Sequence, residues 1–237
     1  MTRLSVNINK IALLRNARGG NLPDLIQTAK DIERFGAQGI TVHPRPDQRH
    51  ICYQDVLDLA PVVTTEFNIE GYPSKQWMDL VLRVKPAQAT LVPDAREQLT
   101  SDHGWKAREH KAFLSDICSE LKRNAIRSSV FVDPVPDDVA GASECGADRV
   151  ELYTGPYAHD YASDRERAVR PYVKAVEEAE RVGLEVNAGH DLNLHNLRFL
   201  KESVPNLAEV SIGHALVSDA LYLGLEESVK RYLMCLK

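Results

Sequence analysis

The sequence predicts one (β/α)8 TIM barrel, a single domain spanning residues 1–237. Three observations predict it. Short apolar or β-branched runs alternate eight times with longer stretches of helical period. Strand starts near residues 4 and 208 bracket seven repeats of about 29 residues, the size of a βα unit. No Pro/Gly/Ser-rich linker, low-complexity segment or change of composition divides the chain. Right-handed crossovers between parallel strands commonly close as a barrel at about 250 residues. An open doubly wound sheet is the alternative, but no GxGxxG or GxxxxGK(S/T) follows the first strand.

The elements follow in order. LSVNIN (4–9) reads as the first strand, and PDLIQTAKDIERFG (23–36) as a helix with Leu25, Ile26, Ala29, Ile32 and Phe35 on one face and Gly36 as its stop. GITVH (39–43) is the second strand, followed by a weaker helix over 52–63 with Pro61 near its end. TEFNIE (65–70) is the third strand, and Pro73 opens a helix over 73–84. AQATLVP (87–93) is the fourth, then a long loop and an amphipathic helix over 106–124. RSSVFVD (127–133) precedes a helix at 136–145 closed by Gly146, and DRVELYT (148–154) precedes a charged helix at 163–182 ending at Gly183. LEVNAG (184–189) leads to a helix at 193–203, and AEVSIGH (208–214) to the last helix, 217–236.

Composition narrows the function. Hydrophobic residues make up 43% and charged residues 27%, ordinary for a soluble globular chain. A net charge of −5, from 29 basic and 34 acidic residues, argues against nucleic acid as the main partner. No apolar run reaches the roughly 18 residues that span a membrane, so no membrane partner is expected. The first residues lack the charged head, apolar centre and cleavage site of a secretory signal. Cys52, Cys118, Cys145 and Cys235 are scattered without a CxxC pair, which reads as thiols in a reducing cytoplasm.

Active sites of such barrels form where the strands end. Here the strand ends carry Asn7, Asn9 and Lys10; His43, then Arg45, Arg49 and His50; Glu70; Thr100 after the fourth; Glu151 and Thr154; Asn187, Gly189 and His190; and Gly213 and His214. One histidine at a strand end is ordinarily a satisfied polar group at the core rim, and Glu70 alone reads as an ion-pair partner. Polar residues at seven of eight strand ends read as a catalytic mouth. Lys10, Arg18, Arg45, Arg49 and His50 give it a basic character, and the glycine turns NAGHDL and SIGHAL sit where barrels bind phosphate. Taken alone, RPDQRH (45–50) reads equally well as a solvated loop. The substrate class is therefore small and phosphorylated. His43, Glu70 and His190 supply groups for proton transfer. No serine elbow, Cys/His nucleophile signature, HExxH or tight metal-ligand motif is present, so no metal is expected.

At these residues the chain resembles the pyridoxine 5′-phosphate synthase family. The matching segments are VNINKIALLRNARGG, GITVHPRPDQRHI, FNIE, LVPDAREQLTSDHGW, VELYTGPYA, VNAGHDLN and SIGHALVSDAL, in order from about residue 6 to residue 224. RNARG, the HxRxDxRHI block and the NAGH/IGHA pair are specific together. The resemblance implies a ring-forming condensation of 1-deoxy-D-xylulose 5-phosphate with 3-amino-2-oxopropyl phosphate. Its products are pyridoxine 5′-phosphate, phosphate and water. It implies a (β/α)8 barrel with a few additional helices, no metal and no cofactor, and a homo-octamer. By that likeness His43 and Glu70 are the main acid/base pair and His190 a proton donor. Asn7, Arg18, Gly213 and His214 hold the aminoketone phosphate, and Arg45, His50 and Thr100 the pentulose phosphate. Asn9, Lys10, Glu151 and Asp191 complete the substrate-binding set.

Two positions depart from the family. Asn9-Lys10 stands where Asp-His is common, and Asp191 where glycine is common after the histidine. Two other readings stay open on residues alone. One is a sugar-phosphate lyase or aldolase with Lys10 as Schiff-base nucleophile. The other is a non-catalytic sensor of a phosphorylated metabolite.

Overall fold

Eight parallel strands close on themselves in chain order. They are β1 (Arg3–Asn7), β2 (Gly39–Val42), β3 (Glu66–Gly71), β4 (Gln88–Leu91), β5 (Arg127–Val132), β6 (Arg149–Tyr153), β7 (Glu185–Gly189) and β8 (Leu207–Ile212). Val6 of β1 is in register with Ile40 of β2 on one side and Ile212 of β8 on the other, which completes the ring. The computed structural model describes residues 1–94 and 101–237.

Period-2 alternation sorts the strand residues into two faces. One set, including Val6, Ile40, Ile69, Leu91, Val130, Leu152, Val186 and Ile212, is buried in the continuous apolar core. The other set is polar and largely hydrogen-bonded within itself, with Ser129 Oγ, Glu151 Oε2 and Asn187 Oδ1 left without a partner among the described residues. Ser5 Oγ lies 2.7 Å from Thr41 Oγ1, and the Thr90 hydroxyl donates to Asn68 Oδ1 at 3.0 Å. Arg149, fully buried, donates through Nε to Glu185 at 2.6 Å and through a guanidinium nitrogen to Gln88 Oε1 at 3.0 Å. A polar interior of this kind holds its groups by hydrogen bonds rather than by packing alone.

The described helices are α1 (Asn9–Asn16), α2 (Leu25–Arg34), α3 (Tyr53–Leu59), α4 (Lys75–Val84), α5 (Lys111–Arg123), α6 (Pro136–Glu144), α7 (Gly155–Val182), α8 (Leu197–Ser203), α9 (His214–Leu223) and α10 (Leu225–Cys235). Asp24 caps α2 by accepting from Gln27 N–H, and Ser74 caps α4 by accepting from Trp77 N–H. Among the described residues, no helix is long and apolar enough to cross a membrane.

Several boundaries differ from those expected. The first strand stops at Asn7 rather than residue 9, because Asn7 Oδ1 accepts from Asn9 N–H at 3.0 Å and turns the chain into α1. That helix was not expected, so Asn9 and Lys10 sit on a helical first turn and not on a strand. α7 starts at Gly155, eight residues before the expected 163, and is kinked at Asp164 (φ −160°, ψ 87°). The last helix is two, separated by Gly224 at φ 82°, a conformation glycine adopts readily.

Candidate active site

A cavity of about 520 Å³ opens where the strands end. Its wall takes Asn7 from the end of β1, His43 from just after β2, Glu70 from β3, Phe131 from β5, Glu151 from β6, His190 from after β7 and Ser211 from β8. Asn9, Lys10, Arg45, His50, Asp191, Gly213 and His214 also line it. A second cavity, of about 380 Å³, is lined by Met1, Gln38, Leu233, Met234 and Leu236 and has no histidine, aspartate or glutamate side chain in its wall.

Two expected site residues are not among these. Arg18 is exposed in the turn after α1 and does not line the cavity. α1 ends at Asn16, and the residues that follow it are on the surface. Arg15, not Arg18, is the buried arginine of this segment, and its two terminal guanidinium nitrogens pair with Asp55, at 2.6 and 2.8 Å. Thr100 lies outside the described residues.

The centre of the cavity is a row of coupled groups. His43 Nδ1 lies 3.8 Å from Glu70 Oε2, and His43 Nε2 lies 3.9 Å from Asp94 Oδ2. Asn7 Nδ2 donates to the same Glu70 oxygen at 3.4 Å. The backbone holds both partners: Asn9 Oδ1 accepts from His43 N–H at 2.9 Å, and the Trp77 indole donates to the Glu70 carbonyl at 3.1 Å. Burial, then the positive charge of Arg45, holds His43 well below the usual imidazole range, so it is a neutral base. Burial, then the negative charges of Asp94 and Glu209, pushes Glu70 up to about 8, so it carries a proton at neutral pH. Glu151 is raised well above the usual range by burial and by Glu70 and Glu209. A neutral base thus faces a neutral acid.

Basic and polar residues surround this pair. Arg45 is buried and ion-paired with Asp94. His50 Nδ1 accepts from Ile51 N–H at 2.9 Å, which leaves the ring proton on Nε2. Burial and the charge of Arg45 lower its pKa to about 4, so His50 is a neutral donor. Across the mouth, Gly213 is the N-cap of α9, whose first N–H groups form an anion-binding end. A Cβ on Gly213 would come within 3.1 Å of Asn7, so glycine keeps this approach open.

The turn after β7 explains the departure at Asp191. His190 and Asp191 have φ of 92° and 58°. Aspartate tolerates the left-handed region better than most residues, so the glycine common there is not required. The Asp191 carboxylate lies 3.1 Å from His190 Nδ1, and this pairing holds it below the usual carboxylate range. Asp191 therefore faces the histidine ring.

Sequence reasoning missed Asp94, Ser101 and Ser211. Asp94 follows the fourth strand run LVP directly, and that position was its signal. Ser211 alternates with apolar Val210 and Ile212 on β8, which marks it as inward-facing. Among the described residues no group of three histidine, cysteine or carboxylate side chains is arranged to hold a metal ion.

Comparison with known proteins agrees with this geometry. The family model described as "Pyridoxal phosphate biosynthesis protein PdxJ" matches residues 4–237. Curated relatives named pyridoxine 5′-phosphate synthase are similar over their full length. That of Cytophaga hutchinsonii is 59% identical and that of Christiangramia forsetii 58%, each match covering 100% of this chain and 100% of the relative. Among solved structures, a tryptophan synthase from M. tuberculosis is similar with a TM-score of 0.67 at 10% identity, covering 99% of this chain and 92% of that one. A thiamine phosphate pyrophosphorylase from Pyrococcus furiosus gives 0.62 at 11%, covering 99% and 95%. At such identities the likeness is one of fold.

Proposed function

This chain belongs to the PdxJ family of pyridoxal phosphate biosynthesis proteins and is an enzyme of vitamin B6 biosynthesis; on that premise we propose that it condenses 1-deoxy-D-xylulose 5-phosphate with 3-amino-2-oxopropyl phosphate. The products are pyridoxine 5′-phosphate, inorganic phosphate and water. The observation that carries this reading is a buried base–acid pair, His43 and Glu70, inside a cavity lined by Arg45 and His50 on one side and by the N-terminus of α9 on the other.

Amine attack on a ketone, dehydration, loss of phosphate and aldol-type closure are proton-transfer steps. A positioned acid or base contributes about 10²–10⁴-fold to such a step. Neutral His43 takes the proton from the attacking amine or from carbon. Protonated Glu70 delivers one to the departing oxygen, and the pair exchanges roles over the next step. His190, whose Nδ1 pairs with Asp191, is the further proton donor on the opposite side of the mouth. Arg45 and His50 hold one phosphate, and Asn7, Gly213 and His214 with the start of α9 hold the other. Lys10, Asn9 and Glu151 contact hydroxyl or amine groups between them. Fixing both substrates turns a two-body encounter into a nearly unimolecular reaction.

Exposed apolar residues on two touching helices, Leu13 and Leu14 of α1 and Leu221 and Tyr222 of α9, support self-association, and we assign the octamer as its form. Exposed Arg18 lies on the same segment as this surface. Four unpaired cysteines support a reducing cytoplasm as the compartment.

The test is to mix purified protein with the two phosphates in the presence of a chelator. Pyridoxine 5′-phosphate fluorescence with one phosphate released per product is the expected result. No product from the fully folded protein contradicts the reading.

A further inference from the structure

We propose that Asp94 is a positioning residue that ties the anion-gripping Arg45 to the His43–Glu70 pair through one carboxylate oxygen. The inference rests on the acid/base reading of that pair given above. Asp94 follows β4, and its side chain is buried. Its Oδ2 accepts from the Arg45 guanidinium and from the Ser101 hydroxyl, the latter at 2.8 Å, and lies 3.9 Å from His43 Nε2. Glu70 faces the other ring nitrogen at 3.8 Å. The His43 ring therefore stands between two carboxyl groups, one of them bonded to the residue that grips phosphate.

The second oxygen, Oδ1, is buried and has no hydrogen-bond partner among the described residues. A buried carboxylate with an unmet acceptor lowers stability, so a residue kept only for packing would be apolar or fully bonded. Its negative charge is the feature that a purely structural residue does not need. That charge acts on two neighbours. It fixes the guanidinium of Arg45, whose long side chain would otherwise lose rotamer freedom on binding phosphate. It also acts across the His43 ring on Glu70 and, after burial, is the main influence keeping that carboxyl protonated.

The groups facing Glu70 come from five elements. They are Asn7 of β1, His43 and Arg45 after β2, Asp94 after β4, Glu151 of β6, and Glu209 and Ser211 of β8. Asp94 and Glu209 raise its pKa, and Arg45 and Ser211 lower it. Removing the Asp94 charge deletes one raising influence and leaves Arg45 unopposed. Both changes move Glu70 in the same direction, down.

The test compares Asp94→Asn with Asp94→Glu, Arg45→Ala and the Asp94→Asn/Arg45→Ala double variant, with Asp94→Ala as the substitute should the asparagine protein not fold. The Glu70 carboxyl is followed by carbon-13 NMR, which needs no substrate. In Asp94→Asn its midpoint is expected to fall by about 1 pH unit, with the alkaline limb of kcat/KM moving alongside it, and Asp94→Glu is expected to restore both. KM for the pentulose phosphate is expected to rise about tenfold in Asp94→Asn, and the double variant to match Arg45→Ala within about twofold, because the two residues act as one unit. An unmoved Glu70 midpoint in a folded variant, or additive effects on KM, overturns the proposal. A wild-type protein that makes no product overturns the condensation reading instead, while the carboxyl titration still decides the role of Asp94.

Discussion

His43 Nδ1 lies 3.8 Å from Glu70 Oε2, and both side chains are buried at the mouth of the barrel. Burial moves the two groups in opposite directions, imidazole down and carboxyl up, and so keeps both uncharged at neutral pH. A base and an acid of this kind serve bond-making and bond-breaking steps without placing a net charge between two phosphates.

Replacing Glu70 by Gln keeps the shape and removes the transferable proton. Turnover is expected to fall by at least about 10³-fold, while binding of either phosphorylated substrate changes less than about threefold. Steady-state assays and calorimetric titration measure the two quantities. Near-wild-type turnover removes Glu70 from the chemistry.

Catalysis should follow the protonation of the pair. Glu70 acts first as an acid, so kcat/KM is expected to decline as pH rises through about 8. Stability carries the same signature. A carboxyl whose folded pKa is raised contributes stability that is full below its unfolded value near 4.5 and is lost as pH rises toward 8. Wild type is therefore expected to lose, between pH 5 and pH 8, on the order of 1–3 kcal/mol that Glu70→Gln does not lose. Denaturant melts of the two proteins across that range make the comparison, and parallel curves contradict it.

His50 is held by its own neighbour, Ile51 N–H, with its ring proton directed elsewhere. His50→Ala is expected to raise KM for the pentulose phosphate about tenfold and to leave kcat within about threefold, since it removes a grip and not a proton carrier. Initial-rate kinetics with each substrate varied in turn measure this. A loss confined to kcat contradicts it.

Gly189 is a packing requirement beside the site. A Cβ there would lie 2.4 Å from Glu151 Oε1, inside van der Waals contact with a buried carboxyl group. Gly189→Ala is expected to destabilise the protein by about 1–3 kcal/mol, read from chemical denaturation. Wild-type stability in that variant means that Glu151 moves without cost.

The barrel was legible because each βα unit repeats the same local signals. β-branched strands such as ITV and VELY, one-sided apolar helices such as 23–36, and the glycine stops at 36, 146 and 183 agree with one another. The misread segments are those where a side chain redirects the backbone. Asn7 ends β1 early and opens α1, an effect that no apolar periodicity records. The site was legible to the extent that it lies at strand ends, which holds for His43, Glu70, His190 and Gly213. Charge and resemblance group Arg18 with the site; its place on the surface follows from where α1 ends, which no apolar periodicity marks. Asp94 went unnoticed for the opposite reason. Its role comes from contacts with Arg45 and His43, 49 and 51 positions away, which only folding brings together.

The most direct measurement is the carbon-13 NMR titration of the Glu70 carboxyl in the wild-type protein, assigned with Glu70→Gln. A midpoint near 8 is the predicted result. A midpoint near 4.5, the ordinary glutamate value, would mean that a charged carboxylate faces His43 at neutral pH, and it would contradict the neutral acid–base pair on which the proposed chemistry stands.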